Sequence, residues 1–216
     1  DGSFTINIPL YHHTQVRMMI GNADLVILLS PEKETNVAIN LSNPPGKQFV
    51  FSGQYATINN EWCQPELITK IPPVYSDGDL LDSIVGISAN EFKKRCINQY
   101  KRYVTHNNAQ LQFSEDTRTL ANLSCAFDCL ENLQATHYCL QTAYQKKENI
   151  TREQAFAAFL DVYLPDDFHN YLKDFPVNHP LALYCYNYRN VVMDLYDTHK
   201  DPLAYEKNLL KNAPLT

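Results

Sequence analysis

Apolar and polar residues alternate with a period of two along the first 60 residues, a pattern that predicts half-buried β-strands. Tight turns are indicated at Gly21-Asn22 and at Asn43-Pro44-Pro45-Gly46. Short strands joined by such turns are typical of an antiparallel meander, here of about five strands. The apolar positions that define the strands are Phe4, Ile6, Ile8 and Leu10; Val16, Met18 and Ile20; Ala23 to Leu29; Val37, Ile39 and Leu41; and Phe49, Phe51 and Tyr55.

The pattern changes after residue 60. Residues 61–78 contain several breakers of regular structure and predict a linker. Beyond residue 78 the apolar positions recur every three or four residues, which predicts helices. Ser88 with Glu91, and Thr151 with Gln154, have the spacing of capping boxes at helix starts. Ser114 is expected to begin a long helix that runs to about residue 147.

Strands followed by helices are the order typical of an α+β fold, unlike the alternation of a doubly wound sheet. We therefore predict an N-terminal antiparallel β meander packed against a larger C-terminal helical region. The meander needs a cover for its apolar face, and the helices can supply it. This favours a single compact unit over residues 1–216, with 1–60 β-rich, 61–78 a linker and 79–216 helical. Two domains that divide near residue 70 are the alternative.

Cysteines form the most informative pattern in the sequence. Three of them fall within an arc of roughly 80° on one side of the predicted long helix, whose apolar stripe lies roughly 130° away. That side is otherwise polar, and a row of exposed thiols would be a liability, so something should cover or bond them. The three are Cys125, Cys129 and Cys139, and the other cysteines are Cys63, Cys96 and Cys185.

Bonds among the three helix cysteines are disfavoured. Cys125 and Cys139 are about 21 Å apart along the helix axis, and the Cβ directions of Cys125 and Cys129 are nearly parallel. We therefore predict that each of the three pairs with one of Cys63, Cys96 and Cys185, which leaves six of the fifteen possible connectivities. The alternatives are reduced cysteines in a cytosolic protein, or a zinc site that includes Cys125 and Cys129 at helical i,i+4 spacing.

Disulfide bonds form in oxidising compartments, so this pairing predicts a secreted or periplasmic protein. The chain starts at Asp1 instead of a methionine, which we interpret as removal of a signal peptide or trimming of the N-terminus. No run of residues approaches the roughly 18 to 20 apolar positions that span a bilayer, so no transmembrane segment is predicted.

Catalytic and cofactor motifs are absent from the sequence. It lacks a nucleophile elbow, a phosphate-binding loop, a zinc protease motif and a dinucleotide fingerprint, so no cofactor is predicted. His12 and His13 lie in a predicted turn, where a general base or metal ligand could sit. His169 follows two aspartates at a predicted helix start. A solvated turn and ordinary helix capping are the structural alternatives for these histidines.

Charge gives one further candidate site. The net charge of −6 argues against a nucleic-acid-binding protein, which normally has a strongly basic face. Residues 91–103 nevertheless carry five basic side chains against Glu91, a local charge of +4. An anionic partner or lipid surface could use this patch, and a solvated helix face is the alternative. The basic residues are Lys93, Lys94, Arg95, Lys101 and Arg102.

Three functional hypotheses follow from these patterns. The first is a secreted or periplasmic, disulfide-stabilised binding or interaction protein without catalysis, whose partner is another protein or an unknown ligand. An extracytoplasmic bacterial protein that acts on a host or another cell fits this hypothesis. The second is a hydrolase with an Asp/His site near His12, His13 or His169. The third is a cytosolic adaptor that binds zinc.

Overall fold

The computed structural model describes residues 2–21, 23–44, 47–62, 64, 66–158, 164 and 168–198. In this part of the chain four strands precede a series of helices, which confirms the α+β prediction. The strands are β1 (Thr14–Ile20), β2 (Ala23–Leu29), β3 (Thr35–Ile39) and β4 (Phe49–Gly53). The α-helices are α1 (Ala56–Trp62), α2 (Gly78–Ser83), α3 (Ala89–Ala109), α4 (Glu115–Gln134), α5 (Thr136–Glu148), α6 (Arg152–Ala158) and α7 (Tyr188–Thr198). Shorter 3-10 helices cover Val74–Ser76, Phe168–Asp174 and Pro180–Tyr184.

The strands form two antiparallel ribbons instead of one meander. β1 pairs with β2 across a turn where Gly21 adopts a φ of 58°, as the hairpin prediction requires. β3 pairs with β4 so that Val37 lies opposite Phe51. The ribbons share a small apolar core in which Leu25, Ile27 and Phe51 are buried. The predicted five-strand meander is therefore wrong, since the described residues contain four strands in two sheets.

The predicted strand that does not form is the first one. The segment from Phe4 to Leu10, called the N-terminal segment below, contains neither helix nor strand. Its alternating pattern is present, but Phe4, Ile6 and Ile8 are 69%, 58% and 45% exposed. A strand needs a hydrogen-bonded neighbour, and in the described residues β1 pairs with β2 alone.

Two consecutive asparagines of α1 anchor the two ribbons. The Asn59 side-chain oxygen accepts from the Leu28 N–H at 2.8 Å, and its amide donates to the Leu28 carbonyl at 3.1 Å. Asn60 does the same with Phe51 at 2.8 and 3.0 Å. Each side-chain amide thus replaces a neighbouring strand for one residue, so α1 holds β2 and β4 in fixed positions.

Most of the predicted linker is packed against helices. Residues 66–76, called the strap below, bury Leu67, Ile71 and Val74. Side chains of the helices bind its main chain: Asn107 bonds both the N–H and the carbonyl of Ile68 at 2.9 Å. Further along, Asp128 and Asn132 accept from the strap N–H groups at 2.7 and 2.9 Å. These contacts join the strap to α3 and α4, while the division into one or two domains stays a prediction.

The helices form the main core around α4, of which 13 of 20 residues are buried. The predicted cap at Ser88 is confirmed, since Ser88 accepts from the Glu91 N–H, and Ser114, predicted to begin a helix, accepts from the Thr117 N–H. The predicted single helix from 114 to 147 is interrupted at Ala135, where ψ is 9°. The hydroxyl of Thr136 donates to the Leu133 carbonyl at 2.6 Å, and a new helix, α5, begins there. None of the helices in the described ranges is long and apolar enough to cross a membrane.

Candidate functional site

The predicted polar side of α4 is buried. Cys125, Cys129 and Cys139 are at most 1% exposed, and Asn132 and Thr136 on the same side are hydrogen-bonded within the core. Cys139 lies on α5 because of the interruption at Ala135. We expected these thiols to be either covered or bonded. They are covered, by packing against the strap and the neighbouring helices.

The five described cysteines are free thiols. They are Cys96, Cys125, Cys129, Cys139 and Cys185. The predicted pairing of helix cysteines with Cys96 and Cys185 receives no support, since these five are not bonded to one another. Cys63 lies outside the described residues, and the three helix cysteines that could pair with it are all among the free thiols.

Burial also determines the reactivity of these thiols. Desolvation raises the pKa of Cys96, Cys125 and Cys139 to about 12, and it raises the pKa of Cys129 and Cys185 as well. Thiols act as nucleophiles and zinc ligands in their deprotonated form. At neutral pH these five stay protonated, and the described residues contain no group of three His, Cys, Asp or Glu side chains placed to hold a metal ion.

His13 is the predicted candidate that the structure places in a defined polar cluster. Its Nδ1 atom is hydrogen-bonded to the Ser30 hydroxyl and lies 3.1 Å from the Tyr184 hydroxyl. The Tyr55 hydroxyl is 3.5 Å from the Ser30 Oγ, and its ring meets that of His13 edge-on. These four residues, called the His13 cluster below, join the start of β1, the end of β2, the turn before α1 and the 3-10 helix at Pro180.

The His13 cluster has part of the chemistry of a nucleophilic site. A serine hydroxyl hydrogen-bonded to an imidazole is the arrangement of a nucleophile with its general base. Burial raises the pKa of Tyr184 to about 12, so that hydroxyl remains a donor. Ser30 is 5% exposed, however, and no carboxylate is hydrogen-bonded to His13 among the contacts of the described residues. The cluster lacks the accessible nucleophile and the orienting acid that catalysis uses.

The other two candidate histidines lie in different surroundings. His12 is exposed in the bend before β1. His169 lies on the 3-10 helix Phe168–Asp174, where burial, followed by the nearby charge of Lys93, lowers its pKa to about 4. It is therefore neutral at physiological pH.

The predicted basic patch divides into structural and free side chains. Lys93 donates to the Phe168 carbonyl at 3.1 Å and lies over the Phe168 ring. Arg95 bonds Glu91 and the Ser83 carbonyl. The remaining three are exposed and make no ion pair or hydrogen bond with any described residue. They are Lys94, Lys101 and Arg102, called the α3 basic face below.

A shallow, open groove of about 660 Å³ lies along the α3 basic face. It is lined by Asn98, Lys101, Arg102, Thr105 and His106. His106 also bonds the carbonyl of Glu66 in the strap at 2.8 Å, which fixes one end of the groove. The groove presents two unpaired cations beside side chains that can form hydrogen bonds, an arrangement suited to an anionic ligand.

Sequence reasoning missed Ser30, Tyr55 and Tyr184 of the His13 cluster. Ser30 and Tyr184 are 17 and 171 residues from His13 in the chain. A contact over such separations leaves no local signal in the sequence. Comparison with protein-family models, with curated proteins and with solved structures found no match to this chain.

Proposed function

We propose that this chain is a binding protein without catalysis, and that the α3 basic face binds an acidic segment of a partner protein. The observation that carries the proposal is the presence of Lys94, Lys101 and Arg102 as exposed cations without partners among the described residues, on a chain whose net charge is −6. Unpaired like charges along one helix repel one another and are stabilised when an opposite charge approaches.

The size of the α3 basic face favours a protein segment over a membrane or nucleic acid. Lys94 and Arg102 are about 12 Å apart along the helix axis. Electrostatic membrane binding typically uses clusters of about four to eight basic residues, and nucleic-acid-binding domains have a strongly basic face. Three free cations on an acidic chain match a short acidic peptide instead.

The secreted or periplasmic location remains a proposal of the sequence analysis. This location was inferred from the predicted disulfide bonds, and the five free thiols do not support it. The proposed binding activity does not depend on it, because the α3 basic face contains no cysteine.

We expect Lys101→Glu with Arg102→Glu to weaken binding of fluorescein-labelled poly-L-glutamate by at least about tenfold, since two attractive charges become repulsive. Fluorescence anisotropy measures the affinity, which should also fall with added salt. Lys33→Glu with Lys47→Glu is the matched control, with the same change of charge at exposed turns of the β-region.

Equal losses in the two double variants would contradict a site on α3 and indicate a general charge effect. Tighter binding of phosphatidylserine vesicles or of single-stranded DNA than of poly-L-glutamate would contradict the assignment to an acidic protein segment.

A hydrolase at the His13 cluster is the second candidate, favoured by the hydrogen bond between Ser30 and His13. This function predicts that a fluorophosphonate probe labels Ser30 in the native protein and that His13→Gln abolishes the labelling. Peptide mass spectrometry locates the modified residue. The hydrolase is rejected if the native protein stays unlabelled and the protein unfolded in urea is not labelled at Ser30 in preference to other residues.

A further inference from the structure

The N-terminal segment has the pattern of a strand without the pairing of one. Phe4, Ile6, Ile8 and Leu10 alternate with other residues and would share one face of a strand. The first three are about half or more exposed, and the segment has no strand partner in the described part of the chain. Several large apolar side chains exposed in a row indicate a surface that associates with another one.

A free edge that suits this segment exists on β1. In the described residues β1 pairs with β2 on one side and leaves its other side unpaired. Val16, Met18 and β2 residues face the small apolar core between the ribbons. A strand added to the free edge of β1 would continue this apolar face with its own apolar residues, and its main chain would bond the open edge.

The chain between the N-terminal segment and β1 is held in place. His13 is fixed by hydrogen bonds to Ser30 and Tyr184, directly before β1 begins at Thr14. In the described residues the segment is not paired with its own β1. We propose that it pairs with the free edge of β1 in a second copy of the chain, and that the second copy returns its segment in the same way.

Pro9 limits the addition of a further strand to the outer edge of the exchanged segment. A proline has no N–H to donate, so it is tolerated in a strand where that position faces away from the neighbouring strand. Pro9 lies on the alternate positions from Ile6, Ile8 and Leu10. The main-chain groups of the apolar positions can therefore hydrogen-bond to β1. Pro9 faces the outer edge, which cannot pair with a further strand along its whole length. A reciprocal exchange has two-fold symmetry and buries both segments.

The double variant Ile6→Asp with Ile8→Asp tests this pairing. We expect the wild-type chain to form a dimer in light scattering coupled to size-exclusion chromatography, and the variant to raise the dimer dissociation constant at least about a hundredfold. Both side chains are exposed in the single copy, so the fold survives their replacement. Leu111→Asp is the control, since Leu111 is 78% exposed in the turn between α3 and α4.

Amide hydrogen exchange separates strand exchange from other modes of association. Protection of residues 4–10 should rise with protein concentration in the wild type and be lost in the double variant. A wild-type chain that stays monomeric overturns the proposal. So does a dimer that the double variant leaves unchanged, or one that Leu111→Asp disrupts equally. The α3 basic face takes no part in this pairing, so failure of one proposal leaves the other standing.

Discussion

Replacing Asn59 by alanine is expected to lower the free energy of unfolding by about 2 to 4 kcal/mol, because two buried main-chain groups lose their hydrogen bonds. Asn59 is fully buried, and its side chain satisfies both the N–H and the carbonyl of Leu28. Water cannot replace the lost bonds without opening the contact between α1 and β2. Urea denaturation followed by tryptophan fluorescence measures the change, with Trp62 at the end of the same helix.

Asn60→Ala is the matched control for this prediction. Asn60 makes the same two bonds to Phe51 but is partly exposed. Water can therefore solvate the groups it leaves behind, and we expect a loss of about 1 kcal/mol. A loss as large as that of Asn59→Ala would show that burial does not set the cost. A negligible loss for Asn59→Ala would show that α1 does not anchor β2.

Stability should decline as the pH rises through the range where Asp128 ionises. Burial raises the pKa of this carboxyl from 3.8 to about 6, against the opposing effect of its bonds from Ile71 and Asn187. The folded state therefore holds a proton that the unfolded state releases, and stability from this group is greatest below about pH 4. Between about pH 4 and pH 7 we expect a loss of about 2 kcal/mol.

Other carboxyl groups titrate in the same range, so the measurement compares the wild type with Asp128→Asn at each pH. The asparagine keeps an acceptor for the Ile71 N–H but cannot ionise. The difference in unfolding free energy should therefore shift in favour of Asp128→Asn as the pH rises. A constant difference across the range would contradict a raised pKa, and a shift in the opposite direction would indicate a lowered one.

Helix starts were predictable because a cap is a local contact. Ser88 and Ser114 each accept a main-chain N–H from a residue three positions ahead, so the signal lies within one turn of sequence. The change from strands to helices was equally readable from periodicity. The N-terminal segment shows the limit of this reasoning. Alternation demonstrates that one face is apolar, but a strand also requires an edge to pair with, and no local pattern supplies that.

The burial of the cysteines could not be predicted, for a different reason. A helical wheel placed Cys125 and Cys129 together correctly, but it read their side of α4 as solvated because polar residues share it. Asp128 and Asn132 are polar there because they bind the main chain of the strap. Buried polar side chains with satisfied hydrogen bonds resemble surface residues in a sequence. The His13 cluster was unreadable for the simpler reason that its members come from distant parts of the chain.

The way the strap is held sets unequal limits on how its sequence can vary. The helices bind the N–H groups of Ile68, Ile71 and Val74, which recur at every third position. A polyproline-type chain repeats every three residues, and Pro73 has dihedral angles close to that conformation, −65° and 126°. Proline is thus acceptable at the intervening positions and excluded from those three. Inserting a single residue between two of these donors would break the repeat, whereas many side-chain replacements would leave every one of these bonds in place.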